Sequence, residues 1–186
     1  MNASTMTKNA EAAPPKVFVV DDDDGIRRGT AFLLEAHGLA VECFGSAEAF
    51  LDAINLDPPP RGCLVLDVRM PGMNGLQLQE HLRERGVRMP IIIVTAYGNI
   101  AMAVRAMRAG ATDFLEKPCE GEDLLGRVNH ALDLEMTQAD ADEEIQEIHR
   151  RLETLTMRET EVLQCIVDGM LNKHIALELG IALKTV

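Results

Sequence analysis

Residues 16–28 read KVFVVDDDDGIRR: a short apolar run stops on four consecutive aspartates and passes at once into helical spacing. A β-branched run of this length reads as a strand, which puts Asp21 and Asp22 at its carboxyl end. Ile26, Leu33 and Leu34 then fall on one helical face, and Gly38 stops that helix. Four adjacent carboxylates repel one another, so the run either attracts a cation or solvates a turn. Asp23 and Asp24 fall where the helix begins, where negative charge meets the positive end of the helix dipole. They read as cap and solvent residues, and Asp21 and Asp22 as the pair with chemistry.

The alternation repeats. AVECF (40–44), GCLVLD (62–67), PIIIVTA (90–96) and ATDFLE (111–116) read as strands, and SAEAFLDAI (46–54), GLQLQEHLRERG (75–86) and NIAMAVRAMRAG (99–110) as helices between them. This pattern predicts an α/β domain over residues 16–134, a doubly wound five-stranded parallel sheet with helices on both faces. GCLVLD and PIIIVTA are almost continuously apolar, as central strands buried on both sides should be. The preceding residues 1–15 are expected to form a disordered tail; they lack the apolar segment of a signal peptide.

Residues 135–155 carry no Gly or Pro and are rich in charge, which predicts continuing helix. Positions 131, 134, 138, 141, 145, 148, 152 and 155 are Ala, Leu, Gln, Ala, Ile, Ile, Leu and Leu, a heptad seam with one polar interruption. A coiled-coil-like linker is expected here, against the plainer reading of a single amphipathic helix. From Thr156 the pattern changes again. TMRE (156–159) is a capping box, and two short helices with stops at Gly169 and Gly180 suggest the start of a helix-turn-helix over 156–186.

Composition narrows the function. A net charge of −12 argues against coating nucleic acid through overall charge. The 4 cysteines lie far apart with no C-x-x-C pair, which fits a reduced, cytoplasmic protein and not a zinc site. No apolar run approaches the roughly 20 residues of a membrane span.

In a doubly wound sheet, ligands sit beyond the carboxyl ends of the strands. Asp21 and Asp22 end the first strand, Asp67 the third, Thr95 the fourth, and Lys117 follows the fifth. Two carboxylates about 4 Å apart repel by about 4 kcal/mol at an effective dielectric near 20. One of them must protonate or a cation must join them. Oxygen ligands that leave room for water suit Mg²⁺, and an Asp beside such an ion suits phosphoryl transfer.

VVDDD (19–23), LVLDVRMPGMNG (64–75), IIIVTA (91–96) and DFLEKP (113–118) together resemble the set that marks response-regulator receiver domains. Residues 155–186 resemble the first two-thirds of a LuxR/FixJ-type helix-turn-helix. The whole chain is therefore similar to a FixJ-family regulator that stops short of most of its recognition helix. The resemblance implies a flavodoxin-like sheet of order 2-1-3-4-5 and a regulator in place of an enzyme. It makes Asp67 the phosphoacceptor, with Thr95 and Lys117 contacting the phosphoryl group. It makes Asp22 the direct Mg²⁺ (or Mn²⁺) ligand and Asp21 a ligand through water, with Asp67 and the backbone carbonyl of Arg69 completing the set. It implies a cis Lys117–Pro118 bond and switch roles for Thr95 and Phe114.

The implied partners are a sensor histidine kinase, a second copy paired on phosphorylation through the segment 98–114, and promoter DNA, with no membrane. Lys184 and Thr185 would begin the recognition helix. With Arg158, Lys173 and Lys184 set against Glu159, Glu161, Asp168 and Glu178, this chain is expected to bind DNA weakly or not at all. Two departures from the family pattern are Cys119, where an aromatic is frequent, and Ala182, where a Ser often caps the recognition helix. Arg69 and Tyr97 are expected to shield an aspartyl phosphate from water. Two other readings fit less well. A phosphatase with an Asp nucleophile wants a second acid at position 69, which is Arg, and an acidic crevice poor in aromatics suits a flavin badly.

Overall fold

The computed structural model describes residues 15–56, 59–96 and 98–186. The tail expected over residues 1–15 lies outside them except for Pro15, and Tyr97 also lies outside. Strands and helices alternate: β1 (Lys16–Val20), α1 (Asp24–Ala36), β2 (Ala40–Phe44), α2 (Ala47–Ala53), β3 (Gly62–Leu66), α3 (Gly75–Glu84), β4 (Ile91–Thr95), α4 (Ile100–Arg108) and β5 (Asp113–Glu116). A long helix α5 (Gly121–Glu153) follows, then α6 (Met157–Val167), α7 (Asn172–Leu179) and a 3-10 turn over Leu183–Thr185.

Every strand pair is parallel, in the order β2-β1-β3-β4-β5. This is the flavodoxin-like sheet expected from the sequence. Strands β3 and β4 are buried along their whole length, as their unbroken apolar runs require. Successive residues point to opposite faces. Phe18, Val20, Leu64, Leu66, Ile91 and Ile93 pack with Phe50 of α2 and Leu78 and Leu82 of α3. On the other face, Val17, Val19, Cys63, Val65, Ile92 and Val94 pack with Leu34 of α1 and Leu124 and Val128 of α5. Ile26, expected on the buried face of α1, is exposed; it sits in the first turn, outside both clusters.

Short polar side chains start the helices. Asp23, Ser46, Asn74 and Asn99 each accept from a backbone N–H three residues on, at the start of α1, α2, α3 and α4. These caps satisfy donors that the first helical turn leaves free. Gly62, at φ 137°, lets β3 start tight against β1: a Cβ there would lie 1.8 Å from the Lys16 carbonyl oxygen. Only glycine tolerates that approach.

The chain divides within α5 into two compact units, residues 1–137 and 138–186. In the second unit Thr156 and Glu159 form the expected capping box, with the Thr156 N–H donating to Glu159 Oε2 at 2.8 Å. Helix α7 ends at Gly180 in the left-handed region, φ 63°, and buries Ile175. Arg158 donates to the carbonyl of Leu179, tying α6 to the end of α7. Among the described residues no helix is long and apolar enough to cross a membrane.

Phe50 is fully buried and meets Phe18 and Phe44 edge-on, at ring-centroid distances of 5.9 and 5.4 Å. Phe50→Ala should therefore cost the first unit about 3–5 kcal/mol. Hydrogen exchange of the β1 and β3 amides under native conditions would read that loss.

Candidate functional site

The backbone register sets the site before any side chain does. Val20 is the partner of Leu66, and the ladder continues beyond both strands: Asp67 N–H donates to the Val20 carbonyl at 2.9 Å. Asp21 and Asp67 therefore leave adjacent strands side by side. On the other half of the sheet Thr95 is the partner of Glu116, and Lys117 N–H donates to the Thr95 carbonyl at 2.9 Å. The next peptide, Lys117–Pro118, is cis, as the family resemblance implied.

The side chains then converge. Lys117 Nζ lies 2.5 Å from Asp21 Oδ2 and 2.9 Å from Asp67 Oδ1, so one ammonium touches both carboxylates. Each carboxylate uses its second oxygen in the same way, accepting from a backbone N–H two residues on. Asp21 Oδ1 takes Asp23 N–H at 2.9 Å, and Asp67 Oδ2 takes Arg69 N–H at 2.5 Å. Asp21 and Asp67 are only 5% and 6% exposed, and Thr95 is buried beside them at the end of β4.

Burial pushes the Asp67 carboxyl above its ordinary range; the hydrogen bond and charge of Lys117 pull it back only in part, and the Asp21 charge adds to the rise. For Lys117, burial alone would lower the ammonium, but hydrogen bonds and charge from Asp21 and Asp67 together hold it above its usual value. The protonated lysine is thus the resident counter-ion of two acids.

The four aspartates of the opening run separate in space. Asp21 enters the crevice, while Asp22 stays exposed at its rim. Asp23 caps α1, accepting from Ile26 N–H at 2.9 Å, and that bond lowers its carboxyl pKa. Asp24 pairs with Arg27 at 2.6 Å and Arg28 at 2.7 Å. Among the described residues, no three His, Cys, Asp or Glu side chains are grouped as a metal site. The donor chemistry nonetheless fits a hard divalent ion, since two all-oxygen donors already converge on a single cationic atom.

The remaining candidates lie around this centre or away from it. Arg69 is exposed and helps to line an open cavity of about 480 Å³ with Met70, Pro71, Met102 and Arg105. Phe114 is half-buried on β5, where a Cβ on Gly98 would lie 3.1 Å from its ring. Lys184 and Thr185 are exposed in the 3-10 turn of the second unit, and Ala182 before it makes no side-chain cap.

Three supporting residues escaped the sequence reading. Arg27 donates to the backbone carbonyl of Asp21 at 2.7 Å, fixing the loop that carries both candidate acids. Glu48, at the start of α2, accepts from Met73 N–H at 2.7 Å and so anchors the loop that follows Asp67. Gly75 sits so close that a Cβ would lie 2.1 Å from the Asp67 carbonyl oxygen. Arg27 has a local signal, its i,i+3 spacing from Asp24. Gly75 closes the motif 64–75, though its closeness to Asp67 shows only in the fold, and Glu48 has no signal, because its partner is set by the way the chain returns.

Residues 17–129 match the family "Response regulator receiver domain", and residues 153–186 match "Bacterial regulatory proteins, luxR family". The chain is 46% identical over 171 residues to the transcriptional regulatory protein FixJ of Azorhizobium caulinodans, covering 91% of this chain and 80% of that protein. It is also 46% identical over 184 residues to the transcriptional regulatory protein TdiR of Thauera aromatica, covering 98% and 78%. Among solved structures it is similar to the response regulator StyR, with TM-score 0.82 and 46% identity over 92% of this chain and 85% of that one. Full-length FixJ from B. japonicum gives TM-score 0.62 and 38% identity over 92% and 84%.

The raised Asp67 carboxyl has a stability consequence with a definite sign. A folded-state pKa above the unfolded value means that the native state binds more protons in the window between them. Its favourable contribution is full below the unfolded pKa and is lost as pH rises through the folded one. At neutral pH and without divalent metal, Asp67→Asn should therefore raise the thermal midpoint, and the gain should shrink as pH falls into the carboxylate range. Calorimetry of both proteins across that range measures it.

Proposed function

This chain belongs to the FixJ-type response regulators of two-component systems, and on that premise we propose that Asp67 accepts a phosphoryl group from a sensor histidine kinase. One observation carries the reading: the partly buried ammonium of Lys117 spans Asp21 and Asp67 at the carboxyl edge of the sheet. Two acids forced together on one ammonium make a site where a divalent ion and a phosphoryl group can meet a carboxylate nucleophile. A Asp67 carboxylate oxygen bonds to phosphorus while the bond from phosphorus to the donor's imidazole nitrogen breaks. The electron pair returns to the imidazole, which takes up a proton, and Asp67 becomes an acyl phosphate.

Lys117 is already in place to meet the incoming phosphoryl oxygens, and Thr95, at the end of the neighbouring strand, offers a hydroxyl donor. Mg²⁺ or Mn²⁺, held by Asp21, Asp22, Asp67 and the Arg69 carbonyl, would neutralise negative charge on the transferred group. Replacing a carboxylate by a dianionic acyl phosphate changes the local charge balance around Lys117 and Thr95. Thr95 then turns towards the acyl phosphate, Phe114 moves into the space released, and the surface from Gly98 to Phe114 pairs with that of a second copy. The luxR-type unit is the output, controlling transcription at promoter DNA. Its charge balance, with acids outnumbering Lys and Arg over 155–186, leaves residues 156–186 a weak DNA ligand by themselves.

Incubation with acetyl phosphate tests the central step. The parent should gain one phosphoryl group by mass spectrometry when Mg²⁺ is present, and Asp67→Asn should gain none. Equal labelling of both proteins would overturn the assignment. Asp23→Asn should leave the Mg²⁺ dependence of labelling unchanged, whereas Asp22→Asn should shift it to much higher Mg²⁺. In a gel-shift assay the 186-residue chain should show no tight, sequence-dependent complex.

A further inference from the structure

Beyond residue 137, helix α5 presents an apolar stripe that its own unit does not cover. Ile145, Ile148 and Leu152 are 51%, 49% and 43% exposed, on a helix that runs unbroken to Glu153. With Gln138 and Ala141 they occupy alternating three- and four-residue steps, the a and d positions of a heptad, and Leu155 continues the spacing just past the helix end. Large aliphatic side chains at half exposure along one seam mark an interaction face, and a heptad seam is covered best by another of the same kind. The flanking positions are charged: Asp142 and His149 on one side, Glu144 and Arg151 on the other.

We propose that the segment 138–155 pairs with the same segment of a second copy of this chain, parallel and in register. This deepens, and rests on, the reading of the chain as a regulator that works as a homodimer. The orientation follows from the layers. In a parallel pair Gln138 meets Gln138 of the other copy, Ile145 meets Ile145, Ile148 meets Ile148 and Leu152 meets Leu152. An antiparallel pair centred on the two isoleucines would set Gln138 opposite residue 155, past the end of the helix at Glu153, and deny it the like partner that the parallel pair provides. A polar residue at one a position fixes register and orientation at some cost in stability. The parallel pair also sets Glu144 beside His149 of the other copy, one residue outside the seam on each side. Arg151 has its own partner within the helix, Glu147 at 2.9 Å, and does not need one across the pair.

The seam is little more than two heptads long, so by itself it pairs weakly and at high protein concentration. Pairing of the receivers would raise the effective concentration of the two linkers and close the seam. Two output units would then stand side by side, as a two-fold DNA site requires.

Disulfide trapping in the full chain tests this. Cys43, Cys119 and Cys165 are replaced by Ser, while fully buried Cys63 stays. Single cysteines are then placed at 145, 152 and, on the outer face, 143 and 150. Under mild oxidation over a series of protein concentrations, Ile145→Cys and Leu152→Cys should form covalent dimers several-fold faster than Glu143→Cys and Arg150→Cys. Equal rates at all four sites would overturn the seam. Trapping of Ile145→Cys with Ile148→Cys in a mixed sample, in place of 145 with 145, would overturn the parallel orientation. Ile145→Asp with Ile148→Asp, at exposed sites that leave the fold intact by circular dichroism, should abolish the concentration-dependent dimer in sedimentation of the unphosphorylated protein; an unchanged dimer there would also overturn it. Mass spectrometry of the same samples after acetyl phosphate reads Asp67 labelling separately, so failure of the phosphoacceptor reading and failure of the seam are distinguishable.

Discussion

Lys117 holds two carboxylates that the backbone has left no freedom to separate. Asp21 and Asp67 follow strands paired in strict parallel register, and the hydrogen bond from Asp67 N–H to the Val20 carbonyl locks them at the same level. Both are buried, so water cannot screen their repulsion, and an ammonium from the end of β5 supplies the missing charge. The lysine arrives because β5 pairs with β4 and β4 with β3, which brings the segment after β5 to the same edge. The stability of the sheet and the electrostatics of the crevice are thus one problem. The core clusters on both faces fix the register, and the register forces the acids together. The raised Asp67 carboxyl and the raised Lys117 ammonium are the two sides of that constraint.

Around this centre the loops are held from outside. Arg27 fixes the loop after β1 through the Asp21 carbonyl, and Glu48 fixes the loop after β3 through Met73 N–H. Gly75 allows α3 to begin directly against the backbone of Asp67. None of the three supplies an atom to the crevice itself, yet each limits how far a candidate acid can drift. Preorganisation of this kind lets a charge change at one carboxylate be felt by the neighbouring loops instead of being absorbed by local relaxation.

Much of the fold was legible in residue order. Strands β3 and β4 announced themselves by unbroken apolar runs, and Asp23 and Thr156 marked helix starts because a short oxygen-bearing side chain is what an uncapped helix end needs. Helix continuity beyond residue 134 followed from the absence of Gly and Pro. The exposure of Ile26 was not legible, because periodicity reports which face a residue shares and not how far along the helix the core extends.

The sequence by itself determined the alternation of strands and helices, the strand-end positions of Asp21, Asp67, Thr95 and Lys117, and the family that those motifs mark. These are local facts: a period of two or 3.6, a polar residue ending an apolar run, a cap before a helix. Only the tertiary structure decided that Asp21 goes into the crevice while Asp22 stays at its rim, since neighbouring residues at a strand end point in opposite directions and the turn chooses between them. It alone decided that Lys117 is shared, that Glu48 reaches Met73 from 25 residues away, and that position 75 admits no side chain. Each of those depends on distances between segments remote in sequence, which are set only when the sheet closes its register and the helices pack against it.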